Sequence, residues 1–279
     1  LRGFLRTFII NIPTRDDRRQ MMDKQLRANG FEIPEEGKKN ARGFIAPDLR
    51  VEWTTHMKYN ILGSDITDEW LEDNSFGLFD WRIDQEVANM LDDDVDDCWW
   101  SRDLTKGEIG CALSHWGIWK ECENYDRPIM VLEDDARFNS DMELKRDIAI
   151  DTLEVMGKKW DILYLGRHPI KPHLEKRLTD TIVIPEFSYC AHAYCVSPKG
   201  IKRLLDYNLQ KSIIPLDEFL PSTYIVHPRM DVSLKYPPSL VVYAMDPVIV
   251  KQRPKAEVGS DTGLPPAFKP QWDPDGWKR

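Results

Sequence analysis

Pro128-Ile-Met-Val-Leu-Glu133-Asp134-Asp135-Ala-Arg-Phe138 decides how the rest of this chain is read. Ile129 to Leu132 form an unbroken apolar run, which suits a short strand covered on both faces of a sheet. Three carboxylates follow in succession at its carboxyl end. In open α/β sheets ligands bind outside the carboxyl ends of the strands. Three adjacent anions repel one another, and a divalent cation relieves that repulsion. An all-oxygen set favours Mg²⁺ or Mn²⁺. Taken alone, the triplet also reads as an acidic turn that merely ends a strand.

Outward from that strand, the chain alternates strands and helices. Phe8 to Ile12 reads as a first strand, and Arg15 to Asn29 as a helix capped by Thr14 and stopped at Gly30. Met22, Gln25 and Leu26 form its inner face. Arg15 and Arg18 near the helix start oppose the helix dipole, and an anionic ligand such as a diphosphate would offset them. A second short strand is expected at Phe44 to Ala46. Residues 47–103 read as an irregular, lid-like insertion containing the acidic run Asp92 to Asp97. Thr105 and Glu108 have capping-box spacing and open a helix that runs to about Asn124. Ser114 and His115 are neighbours within it and do not face each other, so a nucleophile–base pair is a poor reading. Packing or a hydrogen bond to a bound nucleotide suits them better.

Further on, Met142 to Met156 reads as a helix and Trp160 to Gly166 as a buried strand with Arg167 on the ligand side. Ile182 to Ile184 and Ala193 to Val196 are further strands. Ser197-Pro198 starts a helix with a cap and a proline at its first position. In Ile213-Ile-Pro-Leu-Asp217-Glu218-Phe-Leu-Pro221, Asp217 is either a helix N-cap or a general base. Residues 252–279 read as a flexible tail. The expectation is a single domain over residues 1–279, α/β in class, with a mixed, mostly parallel central sheet flanked by helices.

Composition narrows the function. The chain has 279 residues, 42% of them hydrophobic, and a net charge of −9. That balance argues against nucleic acid or an anionic membrane as the main partner. No stretch has the apolar length of a membrane span. The N-terminus lacks a signal-peptide layout. The five cysteines match no zinc spacing and read as buried free thiols.

Several motifs occur in order: Ile10-Asn11 with Arg15, Asp17 and Arg18; Leu104-Thr-Lys-Gly-Glu-Ile-Gly-Cys-Ala-Leu-Ser-His115 with Ile118-Trp-Lys-Glu121; Leu132-Glu-Asp-Asp135; Trp160-Asp-Ile-Leu-Tyr-Leu-Gly-Arg167; and Leu216-Asp-Glu-Phe-Leu-Pro221. This pattern resembles glycosyltransferase family 25, closest to the C-terminal domain of the procollagen (hydroxylysine) galactosyltransferases. Lipooligosaccharide galactosyltransferases are more distant members. The resemblance implies a GT-A type fold, a UDP-sugar donor such as UDP-galactose, Mn²⁺ or Mg²⁺, inversion at the anomeric carbon, and a collagen-like hydroxylysine acceptor. By position, Glu133-Asp134-Asp135 takes the place of the family's Asp-x-Asp element. Asp135 would then bind the metal, with Asp261 completing the site, and Glu133 would face the nucleotide or its ribose. Asn11, Arg15, Arg18, Ala46, Lys106, Ser114 and Asp134 join Glu133 on the donor side. Asp217 is the expected base, with Glu218 beside it. The location would be the ER lumen in a eukaryotic collagen-modifying enzyme and the cytoplasm in a free-standing one.

Three alternatives stand beside this reading. One is the same fold using UDP-glucose or UDP-GlcNAc on an oligosaccharide. Another is a non-catalytic glycan- or protein-binding module. The third, a two-metal phosphate hydrolase, calls for a histidine–carboxylate cluster, and the six histidines are scattered in sequence.

Overall fold

The computed structural model describes residues 6–12, 14–29, 31, 51–53, 66–91, 99–259 and 261. In chain order the elements begin with β1 (Arg6–Ile10), α1 (Asp16–Ala28), β2 (Val51–Trp53), α2 (Asp68–Asp73), α3 (Gln85–Leu91), α4 (Lys106–Glu121), β3 (Ile129–Glu133), β4 (Ala136–Phe138) and α5 (Met142–Val155). They continue with β5 (Ile162–Pro169), β6 (Lys176–Arg177), β7 (Ile182–Ile184), β8 (Ser188–Val196), α6 (Pro198–Asp206), α7 (Leu216–Ser222), α8 (Met230–Lys235), β9 (Val242–Met245), β10 (Val250–Gln252) and α9 (Lys255–Val258).

Eight strands form one sheet in the order β2-β1-β3-β8-β5-β9-β7-β6, and β10 pairs with β4 apart from it. Parallel ladders join β1 to β2, β1 to β3 and β5 to β9. Antiparallel ladders join β8 to β3 and β5, and β7 to β9 and β6. The expected mixed sheet is present, with parallel pairing confined to the β2-β1-β3 side and the β5–β9 pair. Helices cover both faces, and the arrangement is GT-A-like.

The sheet separates two apolar layers because side chains alternate along each strand. Ile129 and Val131 of β3 join Phe8, Tyr164 and Tyr194 in a layer with α4, α6 and α7. Met130 and Leu132 join Ile9, Leu163 and Cys195 in a layer with α1 and α5. Ile66, Leu71, Trp81, Ala88 and Trp100, from the stretch expected to be an insertion, pack into the first of these layers. The strand expected at Phe44 to Ala46 lies outside the described residues, as do Gly30, the acidic run Asp92 to Asp97 and Cys98.

Caps explain where the helices begin. Thr105 Oγ1 accepts the Glu108 N–H, and the Glu108 carboxylate accepts the Thr105 N–H at 2.9 Å. The same carboxylate takes a two-pronged hydrogen bond from Arg102, at 2.8 and 2.6 Å, with both side chains buried. Ser197 caps α6 by accepting the Gly200 N–H at 3.0 Å. At α1 the expectation fails, since Arg15 occupies the cap position and no side chain caps it. Aspartates 16 and 17 in the first turn complement the helix dipole instead. Helix α4 is buried around nearly its whole circumference. Its position against β1, α6 and α7 demands this.

Candidate active site

Asn11 follows β1, Glu133 ends β3, and the two strands run parallel with Ile10 opposite Glu133. Strand β8 runs antiparallel to β3, with Ala193 opposite Leu132, so its N-terminal half continues past the carboxyl end of β3. Asp217, in the first turn of α7, reaches that half of β8: its Oδ1 accepts the Cys190 N–H at 3.1 Å. Cys190 holds a φ of 68°, a left-handed backbone that non-glycine residues rarely adopt and that concentrates at functional sites. Pro215, not Asp217, sits at the cap of α7, and no side chain caps it, which removes the simple N-cap reading of that aspartate.

The three acids of the triplet have different surroundings. Asp134 is buried and accepts Asn11 Nδ2 at 2.8 Å and Arg18 at 2.9 Å. Arg18 also donates to the carbonyls of Val258 and Gly259, at 3.2 and 2.9 Å. Asp261 pairs with Arg15 at 2.5 Å and with Arg18 at 3.1 Å. Both arginines expected to face a diphosphate are therefore engaged with acids, and they tie the segment around residue 261 to the triplet. Asp135 is buried, with Oδ2 accepting Gln252 Nε2 at 3.0 Å and Oδ1 left without a hydrogen-bond partner. Glu133 is partly exposed and lies beside His115.

Burial and mutual repulsion set the electrostatics. Burial, then Glu133 and Asp134, push the Asp135 carboxyl up to about 8. Burial and Asp134 raise Glu133 as well. Asp217 is pushed up to about 7 by burial, then by Glu133 and Glu218. Asp134 is also raised by burial, although Arg18 and Asn11 pull it back. Glu133 thus acts on both Asp135 and Asp217, and burial with these neighbouring acids outweighs the pull of Arg18 on the triplet. An ion bound by oxygen would supply the compensating charge. The donor set and the orphaned Asp135 Oδ1 fit Mn²⁺ or Mg²⁺.

Glu218 differs from its neighbour. It is fully buried, accepts from Trp99 Nε1, and lies 2.7 Å from His227 Nε2 and 3.5 Å from the Tyr189 hydroxyl. Those partners fix it as a packing and hydrogen-bonding anchor for α7, while Asp217 remains partly exposed. Lys106 is exposed at the start of α4, and Ser114 Oγ donates to the Gly110 carbonyl one turn back. Arg167 is buried and paired with Glu175 at 2.5 and 2.8 Å. Ala46 lies outside the described residues. Sequence reasoning missed Gln252, the Cys190 N–H and the Tyr194 hydroxyl. Gln252 stands 117 residues from Asp135, and no local pattern links them.

A family model described as glycosyltransferase family 25 (LPS biosynthesis protein) matches residues 4–220. Procollagen galactosyltransferase 1-A of Xenopus laevis is 32% identical over 170 residues, which is 59% of this chain and 28% of that protein. Human inactive glycosyltransferase 25 family member 3 is 31% identical over 178 residues, 61% of this chain and 30% of that protein. Human procollagen galactosyltransferase 2 is 31% identical over 157 residues, 54% of this chain and 25% of that protein. The chain therefore spans less than a third of each of these relatives.

Proposed function

The chain belongs to glycosyltransferase family 25, and from that premise we propose that it transfers galactose from UDP-galactose to hydroxylysine of a collagen-like acceptor, with inversion and with a divalent metal. The observation that carries the reading is the carboxylate cluster, in which Asp135 Oδ1 is buried without a partner, Glu133 and Asp134 act on Asp135, and Glu133 acts on Asp217 as well. Relatives named as inactive and relatives named as galactosyltransferases match this chain almost equally. The site residues therefore carry the case for activity.

Asp135 would hold the metal, here Mn²⁺ or Mg²⁺, and Glu133 would face the nucleotide or its ribose. When bound, the ion supplies positive charge against the departing diphosphate, so that no acid need protonate it. Arg15 and Arg18 sit where they can exchange Asp261 for a phosphate, and Asn11 and Asp134 hold Arg18 in register. In this reading Asp261 serves the metal site, or closes the donor side through the two arginines. Asp217 takes the proton of the acceptor hydroxyl on the face opposite the leaving group. The Cys190 N–H fixes one of its oxygens. A base poised near neutrality suits that task. Inversion needs a single base on the acceptor side, which is half of the two-carboxylate scheme of inverting glycosidases. Glu218 positions Asp217 from behind.

UDP release tests the proposal. The assay takes a panel of UDP-sugars, a lysine-hydroxylated collagen peptide, Mn²⁺ or chelator, and the wild type or Asp135→Ala. Turnover with UDP-galactose that disappears with chelator and with the variant supports it. Turnover with UDP-glucose or UDP-GlcNAc on an oligosaccharide would replace the substrates and keep the chemistry. A folded protein that neither binds nor turns over any UDP-sugar would place the chain with its inactive relatives.

A further inference from the structure

Cys111 and His115 stand one turn apart on α4, at the i and i+4 spacing that puts two side chains on one helix face. Cys111 Sγ, a ring nitrogen of His115 and a carboxylate oxygen of Glu133 all lie within 4.8 Å of one another. His115 is fully buried. Its Nδ1 lies 2.8 Å from the Tyr194 hydroxyl. Its Nε2 has no hydrogen-bond partner and sits 3.4 Å from Glu133 Oε1. Burial holds this imidazole neutral, so the contact is not an ion pair. A buried, unpartnered ring nitrogen aimed at a thiol and a carboxylate is a ligand's geometry. Cys111 is partly exposed, which gives the cluster a route to solvent. Burial first, and then the carboxylates of Glu133, Asp217, Glu108 and Asp135, raise its thiol, and the negative field of those carboxylates attracts a cation.

Thiol, imidazole and carboxylate make a mixed set of borderline softness. Such a set selects Zn²⁺ or Co²⁺, whereas the oxygen set around Asp135 suits Mn²⁺ or Mg²⁺. The geometry points to a second cation site, built from Cys111, His115 and Glu133, for a zinc-class ion. On binding, Cys111 releases its proton to solvent as the sulfur–metal bond forms, and His115 Nε2 gives its lone pair. The ring proton then resides on Nδ1 and is donated to the Tyr194 oxygen. That oxygen already accepts Trp119 Nε1–H at 3.0 Å and has a second lone pair to offer. Metal-binding histidines characteristically donate their other ring N–H to such a partner. Three protein ligands leave a fourth tetrahedral position for water. Filling the site withdraws Glu133 from the nucleotide. This consequence rests on the transferase reading, but the metal site itself does not.

Cobalt tests the site because a Co²⁺–thiolate bond has its own charge-transfer absorption. The full chain is titrated with Co²⁺ as wild type, Cys111→Ser, Cys190→Ser and Asp135→Asn, with circular dichroism confirming that each is folded. The expected result is a thiolate band in the wild type, in Cys190→Ser and in Asp135→Asn. The band is lost in Cys111→Ser and is displaced by Zn²⁺. A folded wild type without a thiolate band at saturating Co²⁺, or a band that survives Cys111→Ser, overturns the inference. None of these readouts needs turnover, so an inactive transferase leaves the result interpretable.

Discussion

Asp135→Asn should make the metal-free protein more stable at mildly alkaline pH, an unusual outcome for a substitution at a buried site. The wild-type carboxyl is raised from 3.8 to about 8, by burial and then by Glu133 and Asp134. A carboxyl whose folded value lies above its unfolded value contributes stability that is fully present below the unfolded value. That stability is lost as the pH rises toward the folded one. Four units at about 1.4 kcal/mol each set a ceiling of about 6 kcal/mol for the loss. Glu133 and Asp217 are raised too, so the cluster shares its protons and removing one acid recovers only part of it. About 2–3 kcal/mol at about pH 8 is the expected gain, shrinking toward zero near pH 4. That is about 5–10 °C in the thermal midpoint for a chain of this size. Asparagine keeps the side-chain shape and can still accept from Gln252. The assay is urea and thermal unfolding of both proteins in chelator across the pH range. Manganese at a hundred times its dissociation constant should then stabilise the wild type by about 2.7 kcal/mol, and the variant by less. Parallel loss of stability by the two proteins between about pH 5 and about pH 8, or an equal destabilisation of the variant throughout, would refute the reasoning.

Other perturbations separate neighbouring roles. Asp217→Asn should abolish turnover at unchanged donor affinity, while Glu218→Ala should cost about 3–5 kcal/mol in unfolding because it strips Trp99 and His227 of a buried partner. Glu108→Ala should cost a similar amount, since it leaves Arg102 buried and unpaired, whereas Thr105→Ala removes only the cap and should cost about 1 kcal/mol by urea denaturation. Gly166→Ala would bring a Cβ within 2.2 Å of His192 Nε2 and 2.4 Å of the Val250 carbonyl, so its thermal midpoint should fall by several degrees, equivalent to about 1–3 kcal/mol. With Mn²⁺ present, pH profiles of acceptor-dependent turnover should show an acidic limb below the value of about 7 that Asp217 has without a cation. Burial and neighbouring carboxylates raise Asp217, and a cation opposes them.

Local chemistry was legible where the signal is local. The apolar run before Glu133, the Thr105–Glu108 box, the Ser197-Pro198 start and the acids 217 and 218 all read from a few consecutive residues. Each corresponds to an observed strand end, cap or helix start. A helix cap or a strand terminus is decided by hydrogen bonds within about four residues, so the residues that form it are also the ones that reveal it. Asp217 is the expected base with Glu218 close behind it, and their separate roles stay hidden for the opposite reason. What distinguishes them is Trp99, Tyr189 and His227, brought in from elements distant along the chain. Arg15 and Arg18 read as ligand-facing charges because cations at a helix start oppose its dipole, although Asp17, two positions on, pairs with Arg15 at 2.8 Å. Their partners Asp134 and Asp261 arrive 116 and 246 positions away. The antiparallel entry of β8 between β3 and β5, the burial that lifts Asp135, and the meeting of Cys111, His115 and Glu133 belong to the tertiary structure alone. Sequence determined which groups were available and where each element began. Desolvation and long-range pairing, which exist only once the two apolar layers close over the sheet, decided which of those groups remained charged, paired or free to react.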